Sequence, residues 1–80
     1  MIILTRSDFE QNMDRVYIVT VQPTLLHEHA VTCYWGRRGT PQQQQKIIPT
    51  DSAQAAHDLA EKIVAQKIKR GYVPYGSGSE

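Results

Sequence analysis

The spacing of apolar residues changes once along this chain, and that change sets what it can fold into. As far as Pro49 the apolar and β-branched residues come in short extended runs, and from Ser52 they recur with a period of about 3.6. Ala56, Leu59, Ala60, Ile63, Val64 and Lys67 follow the helical spacing, with Ile68 beside them. Thr50 or Asp51 is placed to cap the first turn, and Asp51 with Gln54 has the form of a capping box. At the far end, Lys67, Lys69 and Arg70 stand where the helix dipole favours cations, and Gly71 supplies a stop.

Before that helix the extended runs are short. Ile2 to Thr5 is apolar and β-branched, Ser7 to Asn12 is polar and reads as a loop, and Val16 to Val21 is almost wholly β-branched or aromatic. Pro23 cannot donate to a ladder and ends that strand. Ala30 to Trp35 is a third strand, with Val31, Cys33 and Trp35 on one face and Ala30, Thr32 and Tyr34 on the other. Gly36 and Gly39 bracket Arg37 and Arg38, and Pro41 follows, so Trp35 to Gln43 reads as the tip of a hairpin. Gln42 to Ile48 resumes an extended pattern. The fold class is therefore α+β: a small antiparallel sheet of about four strands in meander order, with one C-terminal amphipathic helix packed on one face. Tyr72, Val73 and Tyr75 are expected to dock back on that core. Residues 1–75 form one domain, and 76–80 (Gly-Ser-Gly-Ser-Glu) have the composition of a flexible tail.

Eighty residues allow one thin core and little room for a deep catalytic pocket. An apolar fraction of 40% with 21% charged residues is ordinary globular composition, so disorder is expected only in the tail. Cys33 is the single cysteine; it has no partner for an internal disulfide or a structural zinc, which points to a reducing, cytoplasmic setting. No run approaches the roughly 18 apolar residues of a membrane span.

The net charge is only +1, and the pI is about 7.9, below the range common among nucleic-acid modules. The distribution differs from the average. Between Trp35 and Lys46 stand Arg37, Arg38 and Lys46 with no acid; between Lys62 and Arg70 stand Lys62, Lys67, Lys69 and Arg70, again with none. Asp8, Glu10 and Asp14 gather elsewhere, and a ligand feels the local field.

The run Tyr34-Trp35-Gly36-Arg37-Arg38-Gly39-Thr40-Pro41 resembles the signature of the WGR domain family. Gln22-Pro23-Thr24-Leu25, Asp51 to Ala56 and Lys67-Ile68-Lys69-Arg70-Gly71-Tyr72 resemble further family segments in the right order. The family occurs within poly(ADP-ribose) polymerases, where it contacts DNA near a strand break, and in bacterial proteins consisting of little else. This chain looks like the stand-alone kind. The resemblance implies that Trp35 stacks on the sugar of a terminal nucleotide and that Arg37 holds the loop or bridges to a neighbour. Arg38 stands where the family usually has an aliphatic residue, and Gln42 where it usually has glycine. If that position needs positive φ, Gln42 is strained by about 1 kcal/mol or more.

Each candidate residue also has a plainer reading. Trp35 either stacks on a ligand or packs under the helix. Arg37 and Arg38 either fork onto phosphates or pair with a carboxylate such as Asp14 or Glu28; Arg37 is expected to be the more structural and Arg38 the more exposed. Lys62, Lys67, Lys69 and Arg70 either extend a phosphate-facing stripe or form a solvated helix face. His27 and His29 lack a third spaced ligand, so no metal site is expected, and Cys33 reads as a buried apolar side chain. No arrangement of nucleophile, base or phosphate-cradling glycines is present, so no catalytic residue and no cofactor is assigned. The expected function is a non-catalytic nucleic-acid-binding module contacting DNA ends or phosphates through Trp35, Arg37, Arg38, Lys46, Lys67, Lys69 and Arg70. The alternative is a protein-interaction or self-associating domain, monomer or weak dimer, that uses the open sheet face with Tyr17, Tyr34 or Trp35; a histidine-based metalloenzyme is a distant third.

Overall fold

The computed structural model describes residues 1–8, 10–40 and 44–75. The expected strain at Gln42 and the expected tail at 76–80 lie outside the described residues. Four strands follow in meander order: β1 (Ile2–Asp8), β2 (Met13–Val21), β3 (Ala30–Arg37) and β4 (Gln44–Pro49). Then come helix α1 (Ala53–Lys69) and a short β5 (Val73–Pro74). All pairings are antiparallel, in the order β4-β3-β2-β1-β5.

Strands β1 and β2 are longer than their apolar runs suggested. Arg6, Ser7 and Asp8 pair with Arg15, Asp14 and Met13, so the sheet extends into residues read as loop. The ladder uses backbone groups, so polar side chains can stand at its end. Asn12 turns the chain at φ 54, a left-handed conformation that asparagine tolerates better than most residues.

Helix α1 covers one face of the sheet. Val19 of β2, with Val31 and Cys33 of β3, forms the core against Ala56 and Ala60. The two alanines let the helix axis come close, and Leu59, Ile63 and Val64 close the flanks. Leu4 on β1 is also fully buried. Cys33 is a free, buried thiol in the middle of this core, as an apolar filler would be.

The helix cap differs from expectation. Ser52 is the N-cap, in extended conformation, and its hydroxyl accepts from the Ala55 amide at 3.0 Å. The first helical residue is Ala53, so Thr50 and Asp51 precede the cap. Gln54 instead donates to Asp58 Oδ1 one turn on, at 2.9 Å. The stop is as expected: Gly71 takes φ +103, its amide donates to the Ile68 carbonyl, and the Tyr72 amide donates to that of Lys67. That bonding pattern satisfies the last carbonyls of the helix. Tyr72 is thereby folded onto the sheet and buried, while Val73 and Pro74 pair with the free edge of β1. Tyr75 stays exposed.

Candidate functional site

Strand parity assigns each functional side chain to a face. Tyr17, Val19, Val31, Cys33 and Trp35 share the helix-covered face, so Tyr17 and Trp35 are absent from the open one. The open face carries Ile3, Ile18 and Tyr34 in cross-strand register, with Thr5, Val16, Thr20 and Thr32 buried around them.

Trp35 is not at a hairpin tip. Strand β3 continues through Gly36 and Arg37, and Trp35 pairs with Tyr17 on one side and Gln44 on the other. Its ring is half-buried at the edge of the core, stacked on Tyr17 with centroids 5.7 Å apart and planes at 15°. Its Nε1 donates to Gln44 Oε1 at 2.7 Å. One ring face is thus taken by Tyr17, so the indole packs at the edge of the helix-covered core. Gly36 shows no positive φ; the tight turn is made by Gly39, at φ +87, with the Thr40 amide and hydroxyl both donating to the Arg37 carbonyl.

The two adjacent arginines exchange the roles expected of them. Arg38 is tied down: its Nε lies 3.0 Å from Asp14 Oδ1, its Nη2 donates to Ser7 Oγ, and its amide donates to the Asp14 carbonyl. Arg37 points to the other face. It is exposed, with one long hydrogen bond to the Asn12 carbonyl at 3.5 Å. The cause is strand parity, since alternate residues project to opposite faces and Asp14 lies on the face of Arg38.

Lys67 is also engaged. Its ammonium sits 4.3 Å from the centroid of the Tyr17 ring and 5.9 Å from that of Tyr72, a cation–π arrangement that takes it out of any solvated stripe. Tyr17 and Tyr72 meet edge to face. Burial pushes the Tyr17 hydroxyl well above its ordinary value, and the neighbouring Cys33 thiol adds to the shift. Lys46, Lys69 and Arg70 are exposed. Lys46 flanks Trp35 on the side away from Arg37, beside Cys33 in register, while Arg38 is held on the opposite face, so the predicted cations do not form one cluster.

Beside Trp35 a groove of about 470 Å³ opens, walled by Trp35, Tyr72, Arg15, Arg37, Asn12 and Gln44 among others. Arg15 was missed at the sequence level, and so was Arg6. Register sets Arg15 opposite Arg37 within the groove, and Arg6 opposite Arg15 just outside the groove's lining. Their shared parity was visible in the sequence, but the strand offsets that align them were not. Among the described residues the ion pairs are Arg38 with Asp14 and His57 with Glu61, so none of these three arginines has a carboxylate partner.

His27, Glu28 and His29 lie in the connection between β2 and β3 rather than on a strand face. Among the described residues no three His, Cys, Asp or Glu side chains gather as metal ligands. No helix of the described residues is long and apolar enough to cross a membrane.

A one-helix sheet with an aromatic and cationic groove beside Trp35 defines a small α+β binding module. The chain belongs to the WGR domain family, whose model matches residues 1–79. That is essentially the whole length over which the Trp35-Gly36-Arg37 segment and its companions resemble the family. WGR domains are in general nucleic-acid-binding modules and not catalytic domains. No curated protein and no solved structure matches the chain.

Proposed function

We propose that this chain is a non-catalytic, cytoplasmic nucleic-acid-binding module that contacts DNA ends or backbone phosphates through the groove beside Trp35. One observation carries the reading: Arg15 and Arg37, neither with a carboxylate partner among the described residues, line the same groove as Trp35 and Tyr72. Guanidinium groups fork onto phosphate oxygens, and an aromatic ring beside them takes a sugar or base, worth about 1–3 kcal/mol per stacked base. The groove volume also lies within the roughly 300–1,000 Å³ usual for ligand sites.

The roles differ among the expected residues. Trp35 contributes the ring face not covered by Tyr17. Arg37 is the principal phosphate contact of the signature, and exposed Lys46, Lys69 and Arg70 supply longer-range attraction. Arg38, neutralised by Asp14, and Lys67, seated on Tyr17, hold the site in shape. The row of Ile3, Ile18 and Tyr34 on the open face favours a second reading, a protein partner or weak self-association.

Anisotropy titrations with blunt and nicked duplexes at two salt concentrations separate these readings. The nucleic-acid reading expects affinity that falls steeply with salt, because each neutralised phosphate releases counterions. Absence of binding at low salt overturns it. Association of the protein with itself that survives high salt supports the second reading.

A further inference from the structure

Arg6, Arg15 and Arg37 stand side by side on three neighbouring strands, all on the helix-covered face. Like charges directly opposite one another across strands destabilise a sheet, and here the arrangement occurs twice in succession. Arg15 and Arg37 are exposed and Arg6 is half-buried, its Nε beside Gly71 at the end of α1. The nearest acid of that face in register, Asp8, is engaged in its own turn, its Oδ1 accepting from the Glu10 amide at 3.1 Å. Asp14 projects to the opposite face and is held by Arg38. Among the described residues no carboxylate pairs with any of the three, and Arg37 has only its long hydrogen bond to the Asn12 carbonyl. Rule-breaking of this kind is what a binding surface shows when its ligand is absent.

We infer that Arg6, Arg15 and Arg37 form one site for two linked phosphate groups. This rests on the nucleic-acid reading above and specifies where its phosphates lie. The row spans two inter-strand spacings, about 10 Å, too wide for the oxygens of one phosphate and suited to two consecutive ones. Each guanidinium offers a planar fork for phosphate oxygens. The next row along the strands, about 7 Å away, holds Tyr17 and Trp35, so a sugar or base attached to a phosphate on Arg15 and Arg37 reaches the indole. Two sources supply such chemistry: consecutive phosphodiesters of a nucleic-acid strand, and the diphosphate of a free nucleotide.

The test is binding of a short labelled single-stranded oligonucleotide to the full chain, with ADP and inorganic phosphate as competitors. Arg15→Gln is expected to weaken binding at least about tenfold for every sequence and to lower the slope of log affinity against log salt by about 1. Its Tm should be unchanged or raised, because a repulsive pair is removed. Arg15→Lys keeps the charge and stem but not the fork, and should lose affinity with the salt slope intact. Lys62→Gln, on the exposed side of α1, should bind as the wild type does. Effective competition by ADP identifies the free diphosphate as a ligand, and its failure to compete identifies the strand backbone; both support paired phosphates. Inorganic phosphate competing as well as ADP overturns the two-phosphate site. Wild-type affinity in Arg15→Gln, or loss that follows a fall in Tm, overturns the inference and leaves the functional reading standing. No binding by the wild type removes both.

Discussion

Arg37 and Arg38 are chemically identical neighbours whose environments differ because a strand turns alternate side chains to opposite faces. The Arg38–Asp14 pair is more than a third exposed on both sides, so it contributes at most about 1 kcal/mol. Asp14→Asn should therefore change stability little in denaturant melts, yet remove the acid among the groove's lining residues, free Arg38 and raise nucleic-acid affinity several-fold at low salt. Unchanged affinity in that titration would show that Arg38 is too far from the ligand to matter. Tyr17 makes a second prediction. Burial raises its folded-state pKa, so the folded state holds the phenolic proton more tightly than the unfolded one. Its stabilising contribution is complete below the usual tyrosine value of about 10 and fades as pH rises through the higher folded value. NMR titration should find Tyr17 still protonated above the usual tyrosine value, with stability declining above about pH 10.

At the scale of elements, the helix is held at its two ends by single residues. Ser52→Ala removes the hydroxyl that caps the Ala55 amide and should cost about 1 kcal/mol, measured by chemical denaturation. Gly71→Ala should cost more than the corresponding change at Gly39. Both glycines have positive φ, a strain of roughly 1–2 kcal/mol for alanine. At Gly39 the new Cβ meets open space, whereas at Gly71 it comes within 3.2 Å of Arg6 Nε. Equal losses at both sites would show that Arg6 moves away freely. The helix and its glycine stop were legible in the sequence because their signals are local: a 3.6-residue period and a left-handed terminator. The cap was placed one or two residues early because Thr50, Asp51 and Ser52 are all competent, and packing of Ala56 and Ala60 on the sheet decides where the helix begins.

Over the whole molecule, a domain of this length has a stability of roughly 4–12 kcal/mol. Leu4 is fully buried and joins β1 to the edge completed by Val73 and Pro74. Leu4→Ala should cost about 2–5 kcal/mol, a large share of that margin, read as a lowered midpoint in denaturant melts followed by circular dichroism. The same scale explains why a net charge of +1 says little about the partner: paired Asp14 and Arg38 cancel, while Arg6, Arg15 and Arg37 stand together unpaired among the described residues. The sequence alone determined the meander of the first four strands, the helix and its end, the core position of Cys33 and the family signature, since each follows from residues near one another in the chain; the fifth strand, on the far edge of β1, does not. Only the tertiary structure decided which face Trp35 occupies, which arginine Asp14 neutralises and that three distant arginines form a row. Those depend on strand register, which turn geometry and packing settle across segments that carry no local mark of their alignment.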